Sequence, residues 1–121
     1  MVNDIITCPE NREQFLLLVK NNSNKLVIIK ASAQWCKPCK KISNFVNSCF
    51  DKLPGNKLLI LLDIDDSDDV ASFLKIKSLP TLLAYTNGAP THVLMSSKPD
   101  DVNKFFVKCG MSEKLNLNVD F

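Results

Sequence analysis

Two stretches, Leu26-Val27-Ile28-Ile29 and Leu58-Leu59-Ile60-Leu61-Leu62, are apolar at every position, and they constrain the fold more than any other feature of the chain. A strand with one wet face alternates polar and apolar residues. Unbroken runs of Val, Ile and Leu mark strands covered on both faces, as in a parallel or mixed sheet. Helical spacing fills the intervals. Phe15, Leu16, Leu18 and Val19 share one side of a first helix, and Ile42, Phe45, Val46, Cys49 and Phe50 one side of a second that ends before Pro54-Gly55. Val70, Phe73 and Leu74 suit a short third helix, and Val102, Phe105, Phe106 and Cys109 line a fourth, closed by Gly110.

The boundaries have their own signals. Val2 to Ile6 suits a short edge strand, and Thr7-Cys8-Pro9-Glu10 predicts a capping box with Thr7 as N-cap and Pro9 in the first turn. Leu79-Pro80-Thr81 opens a strand running to Tyr85, with proline at its first positions, where it displaces no central ladder bond. Asn87-Gly88 makes a hairpin turn that returns Thr91 to Met95, and Pro99-Asp100-Asp101 opens the last helix. The order β-α-β-α-β-α-β-β-α predicts an α/β fold: a mixed central sheet with helices on both faces and Leu26 to Ile29 at its centre.

A chain of 121 residues suits one domain, placed at 1–110 and followed by an extension at 111–121. In the extension Leu115, Leu117, Val119 and Phe121 alternate with polar residues. That is strand periodicity; it either pairs with a sheet edge, of its own or another subunit, or frays, so the chain is expected to be a monomer or a tail-mediated dimer. The net charge of +2 is spread without a basic run, which argues against a nucleic-acid partner. No apolar run approaches the ~18 residues of a membrane span and the N-terminus lacks a signal pattern, so a soluble, cytoplasmic protein is expected. The acidic group Asp63, Asp65, Asp66, Asp68 and Asp69 lacks the glycine and terminal Glu of an EF-hand loop and reads as a solvated helix start. No cofactor is expected.

Chemistry concentrates at Trp35-Cys36-Lys37-Pro38-Cys39-Lys40, directly after the first buried strand. The five cysteines are odd in number and irregularly spaced, which does not suit a structural disulfide framework. A thiolate is the nucleophile of disulfide exchange, and an ordinary cysteine with a pKa near ~8.5 is little ionised at neutral pH. At the first turn of a helix, unpaired backbone N–H groups and the positive end of the dipole stabilise the anion, and Cys36 is expected there. Cys39 lies one turn later on the same side, within disulfide reach. Cys36 would attack a target disulfide and Cys39 would resolve the mixed disulfide, with Pro38 fixing the backbone and Lys37 adding positive charge. A lone C-x-x-C is also compatible with half of a zinc site, but the other candidate ligands, Cys8, Cys49, His92 and Cys109, are scattered. Cys49 and Cys109 read as small core residues.

At this point the chain resembles the thioredoxin family. Trp-Cys-x-Pro-Cys-Lys follows a buried strand, Leu-Pro-Thr begins a later strand, and an Asn-Gly hairpin and terminal helix come next in the right order, over roughly residues 1–110. The resemblance implies a thioredoxin fold and a protein-disulfide oxidoreductase acting on protein or peptide disulfides, recycled by a thioredoxin-reductase-like or thiol reductant. It also implies a cis peptide between Leu79 and Pro80 packed against the Cys36–Cys39 pair. Trp35, Ser78, Leu79 and Tyr85 or its neighbours would surround a groove for an extended substrate.

Three departures from the family pattern bear on tuning. Lys37 replaces the usual small residue, Lys30 stands six residues before Cys36 where the family usually has a buried acid, and Leu61 matches the position of that acid's usual lysine neighbour. Ser32, where an aromatic is common, suggests a looser site. Unit charges ~6 Å apart at an effective dielectric of ~20 interact by about 3 kcal/mol, roughly two pKa units. A charged, inward Lys30 would therefore stabilise the dithiol and make the disulfide more oxidising, whereas a Lys30 snorkelling to solvent would not. The alternative to an enzyme is a thioredoxin-fold interaction module with weak or no redox turnover, for which the missing acid is the best argument.

Overall fold

The structure is a computed structural model describing residues 4–112. It contains β1 (Asp4–Thr7), α1 (Arg12–Asn21), β2 (Leu26–Ser32), α2 (Lys37–Asp51), β3 (Lys57–Asp63), α3 (Asp68–Phe73), β4 (Thr81–Thr86), β5 (Ala89–Leu94) and α4 (Pro99–Lys108). The sheet order is β1-β3-β2-β4-β5, with β1, β3 and β2 parallel and β4 and β5 antiparallel to their neighbours. The β-branched run Leu26 to Ile29 thus occupies the central strand, as its apolarity requires, and β1 forms one edge.

Period-two alternation divides β2 between two cores. Ile28 packs with Leu59, Leu82 and Ala84 under α2 and α4, where Phe45, Phe50 and Phe106 are the largest buried side chains. Val27, Ile29 and Ala31 point the other way, onto Phe15 and Val19 of α1 and Val70 of α3. Truncating any of the three buried phenylalanines to alanine would cost about 3–5 kcal/mol. Lys30 continues the Ile28 side of the strand, toward α2.

Several boundaries differ from the sequence expectation. Helix α1 is capped by Asn11, whose Oδ1 accepts the N–H of Gln14 at 2.9 Å, and not by Thr7, which ends β1. Gln14 Oε1 in turn accepts the N–H of Glu10, the residue before the cap, at 2.9 Å, a variant of the expected box displaced by four residues. Leu16 is exposed, leaving Phe15, Val19 and half-buried Leu18 to bind α1 to the sheet. Strand β4 starts at Thr81, after the proline, and β5 at Ala89. Asn87 (φ 55°) and Gly88 (φ 78°) both take the left-handed backbone that a tight two-residue hairpin needs. Met111, at the start of the expected extension, is buried against the α2–α4 core; the strand expected in the tail lies outside the described residues.

One lysine was not anticipated as a core residue. Lys57, the first residue of β3, is 1% exposed, and its Nζ donates to the carbonyls of Phe50 (2.7 Å), Asp51 (3.0 Å) and Leu53 (2.7 Å). It adds a donor to carbonyls where α2 ends, of which that of Phe50 also accepts the N–H of Leu53 at 3.1 Å, and places its charge at the negative pole of that helix.

Candidate active site

Strand β2 and helix α2 meet at the two thiols. Cys36 is the N-cap of α2: its backbone is extended (φ −86°, ψ 102°) and its Sγ accepts the N–H of Cys39 at 3.3 Å. Pro38 sits in the first turn, where a missing N–H forfeits no helical bond. No acidic side chain occupies that turn to oppose an anion. The positive pole favours negative charge there by about 0.3–1 kcal/mol, up to ~2 in partly buried geometry. Cys36 and Cys39 are joined as a disulfide, with Cα atoms 5.3 Å apart, and are 4% and 6% exposed. They pack with Ala33, Ile64 and Leu79. The Leu79–Pro80 peptide is cis, as the resemblance implied.

Cys36 and Cys39 border different spaces. A groove of about 480 Å³ runs past Cys36, floored by Trp35, Pro38, Ile64, Ile76 and Leu79 and edged by Lys37, Lys77 and Ser78. A second cavity, of about 120 Å³, is bordered by Cys39, Lys30, Ser43, Pro80, Leu82 and Ser96 among others. Trp35 is 65% exposed, yet its indole Nε1 donates to Asp65 Oδ2 at 2.9 Å, and the Asp65 N–H donates to Asp63 Oδ1 at 2.9 Å. Part of the acidic group therefore anchors the ring that flanks the groove. Thr81 Oγ1 donates to the Ser78 carbonyl at 2.7 Å and holds the turn that carries the cis proline.

Lys30 reaches inward. Its Nζ donates to Ser43 Oγ at 2.9 Å and Asn47 Oδ1 at 3.3 Å, and burial lowers its pKa from the ordinary lysine value. Leu61 is its register partner across β2 and β3, so no charge answers it from that position.

Cys36, Cys39, Trp35, Lys37, Pro38, Leu79, Pro80 and Lys30 thus gather at one end of the sheet. Tyr85 does not: it lies at the far end of β4 and packs edge-on against Phe15, ring centroids 5.9 Å apart, in the opposite core. The sequence reading missed Ile64, Ile76 and Lys77. The last two directly precede Ser78-Leu79, a signal that was available. It also missed Ser43 and Asn47, which stand four apart and so share a face of α2. Cys49 is fully buried, Cys109 is a half-buried thiol pushed up to about 11 by burial, and Cys8 is half-buried with Sγ 3.9 Å from Asp66 Oδ2. Among the described residues no three His, Cys, Asp or Glu side chains are grouped to hold a metal ion. No helix among them is long and apolar enough to cross a membrane.

Comparison with known proteins agrees with this geometry. The family model Thioredoxin matches residues 7–108. Thioredoxin of Gallus gallus is 41% identical over 78 residues, covering 64% of this chain and 73% of the relative. Thioredoxin of Ophiophagus hannah is 33% identical over 95 residues, covering 78% and 90%. The solved structure of Plasmodium falciparum thioredoxin superposes with a TM-score of 0.73 at 27% identity, over 87% of this chain and 97% of that one.

Proposed function

The chain belongs to the thioredoxin family, and from that premise we propose that Cys36 is the attacking thiol and Cys39 the resolving thiol of a thiol-disulfide oxidoreductase. The observation that carries the assignment is positional. Cys36 Sγ sits at the α2 N-terminus, accepts a backbone N–H and borders the larger groove, whereas Cys39 lies one turn inside, on the smaller cavity. A target lying extended along Trp35, Ile76 and Leu79 would bring its disulfide to Cys36 first, with Lys37 and Pro38 shaping the approach and the cis Leu79–Pro80 peptide holding Leu79 in place.

The exchange balances as follows. The Cys36 thiolate attacks one target sulfur, forming a mixed disulfide and expelling the other as a thiolate, which takes a proton from solvent. Cys39 then attacks Cys36 Sγ, the second target sulfur leaves, and the target has gained the two electrons that the protein dithiol lost. A dithiol or thiol reductant, of the thioredoxin-reductase kind, would return the protein to its dithiol form. The thiol groups of Cys8 and Cys109 support a reducing, cytoplasmic setting and a part in redox homeostasis. We assign the catalytic unit to 1–110 and the remaining residues to an extension that leaves the chain monomeric or joins a dimer.

Insulin reduction tests the assignment. Turnover is expected from the wild type and no turnover above background from Cys36→Ser, while Cys39→Ser should accumulate mixed disulfide with target. Equal turnover by Cys36→Ser and wild type would overturn the role of Cys36. The interaction-module reading is disfavoured because both thiols are present and paired at the helix start.

A further inference from the structure

Resting on the reading of Cys39 as the resolving thiol, we propose that Lys30 is the counter-charge for a Cys39 thiolate, so that it serves the second step of exchange and not the first. The placement follows from the strand. Alternation along β2 puts Leu26, Ile28, Lys30 and Ser32 on the α2 side, and Lys30 and Cys39 border the same small cavity.

An ammonium carries three N–H donors and no acceptor. Among the described residues Ser43 Oγ and Asn47 Oδ1 accept from Lys30 Nζ, and both are neutral. Among the described residues no carboxylate pairs with Lys30. A cation drawn out of water onto neutral oxygens is poorly compensated, and burial alone moves its pKa. An anion formed in the cavity would compensate it.

The cavity walls leave one candidate for that anion. From α2 come Cys39 and the exposed cation Lys40; the β4 side presents Pro80 and Leu82, neither titratable. Ser96 donates its hydroxyl to Asp101 Oδ2 at 2.7 Å, and no α4 carboxylate is among the cavity's lining residues. Cys36 borders the groove instead. The group placed to become negative beside Lys30 is Cys39.

In the mixed disulfide Cys39 gives its proton to water, its thiolate attacks Cys36 Sγ, the Cys36–Cys39 bond forms, and the target sulfur leaves with the electron pair and is protonated by solvent. A cation beside Cys39 lowers its pKa and raises the thiolate fraction. Each unit of lowering gives about tenfold more thiolate and about threefold less nucleophilicity, a net gain of about threefold at neutral pH. The disulfide carries no charge, so the same cation shifts the equilibrium toward the dithiol.

The test uses the reduced full-length chain and substoichiometric dithiobis-nitrobenzoate, which releases one coloured thiolate when Cys36 attacks and a second when Cys39 resolves. Lys30→Met is expected to slow the second release about threefold at neutral pH, raise its pH midpoint by about one unit and leave the first release within twofold. At pH above both midpoints, where Cys39 is ionised in either protein, the equilibrium with glutathione should move up to about tenfold toward the disulfide, and at neutral pH by less than about twofold. Asn47→Asp, at an exposed position, places a carboxylate against Nζ with Lys30 still in place, and should act in the same direction even if Lys30→Met fails to fold. An unchanged midpoint and glutathione equilibrium in Asn47→Asp would overturn the proposal, as would an effect confined to the first release. Neither result touches the reading of Cys36, which fails only if Cys36→Ser reduces insulin.

Discussion

Lys57 and Lys30 both reach helix α2 from the sheet, one from β3 and one from β2, and the chain compensates them differently. Lys57 Nζ meets three backbone carbonyls at 2.7–3.0 Å where α2 ends, and lies 5.1 Å from the centroid of the Phe50 ring. All three of its donors are used, the helix pole has the right sign, and nearby Asp51 opposes the lowering effect of burial. Lys30 has one hydroxyl and one amide oxygen, further along the side of the helix, and only desolvation acts on its pKa. A buried cation strengthens the fold where the backbone supplies its oxygens. Where it lacks them, it remains available to a charge that appears only during the reaction.

The same substitution at the two positions should therefore act in opposite directions. Lys57→Met takes the ammonium from three carbonyls, of which Phe50's keeps the N–H of Leu53, and should cost about 3 kcal/mol in urea unfolding, while the reactivity of Cys36 stays within twofold. A loss under about 1 kcal/mol would erase the contrast. Lys30→Met removes a poorly compensated charge and should leave stability unchanged or raise it by up to about 1 kcal/mol. The pH dependence sharpens this. With its folded pKa lowered, Lys30 binds fewer protons folded than unfolded as pH approaches the ordinary lysine value, so wild-type stability should rise there relative to Lys30→Met. A relative fall with pH would mean that Lys30 has an anionic partner in the folded chain.

The smallest effect is expected at an exposed pair used as a control. Arg12 Nη2 lies 2.7 Å from Asp69 Oδ1, tying α1 to α3, and this contact holds the Asp69 carboxyl below its ordinary range. A depressed carboxyl contributes stability above its unfolded pKa and loses it as pH falls through the folded value. Wild type and Asp69→Asn should differ slightly at neutral pH and converge in acid, and salt should shrink the gap. A gap comparable with that of Lys57→Met would show that burial is not what separates strong from weak cation sites in this protein.

The element order was legible because both covered strands announce themselves by unbroken apolar runs, and Cys36 and Cys39 were legible because spacing alone puts them on one helical turn. The start of α1 was not. Thr7 and Asn11 are both competent caps, and the choice was made by pairing, since Thr7 is taken into the ladder with Leu61 of β3. The burial of Lys57 was not legible because its partners are carbonyls, which leave no mark on a sequence. Tyr85 was placed near the thiols from a likeness of order; its distance from Pro80 along β4 decides otherwise. Lys30 was noticed from its position, but whether it turns inward depended on Ser43 and Asn47, two ordinary polar residues until α2 is laid across β2.

The disulfide stands as a partition, with a groove against Cys36 and a separate cavity against Cys39. A substitution along Trp35, Ile76, Lys77 or Leu79 acts on which targets dock, and one among Lys30, Ser43 or Asn47 acts on how far and how fast the exchange closes. Lineages of this chain could therefore change partners without resetting the driving force, or reset the driving force while keeping their partners.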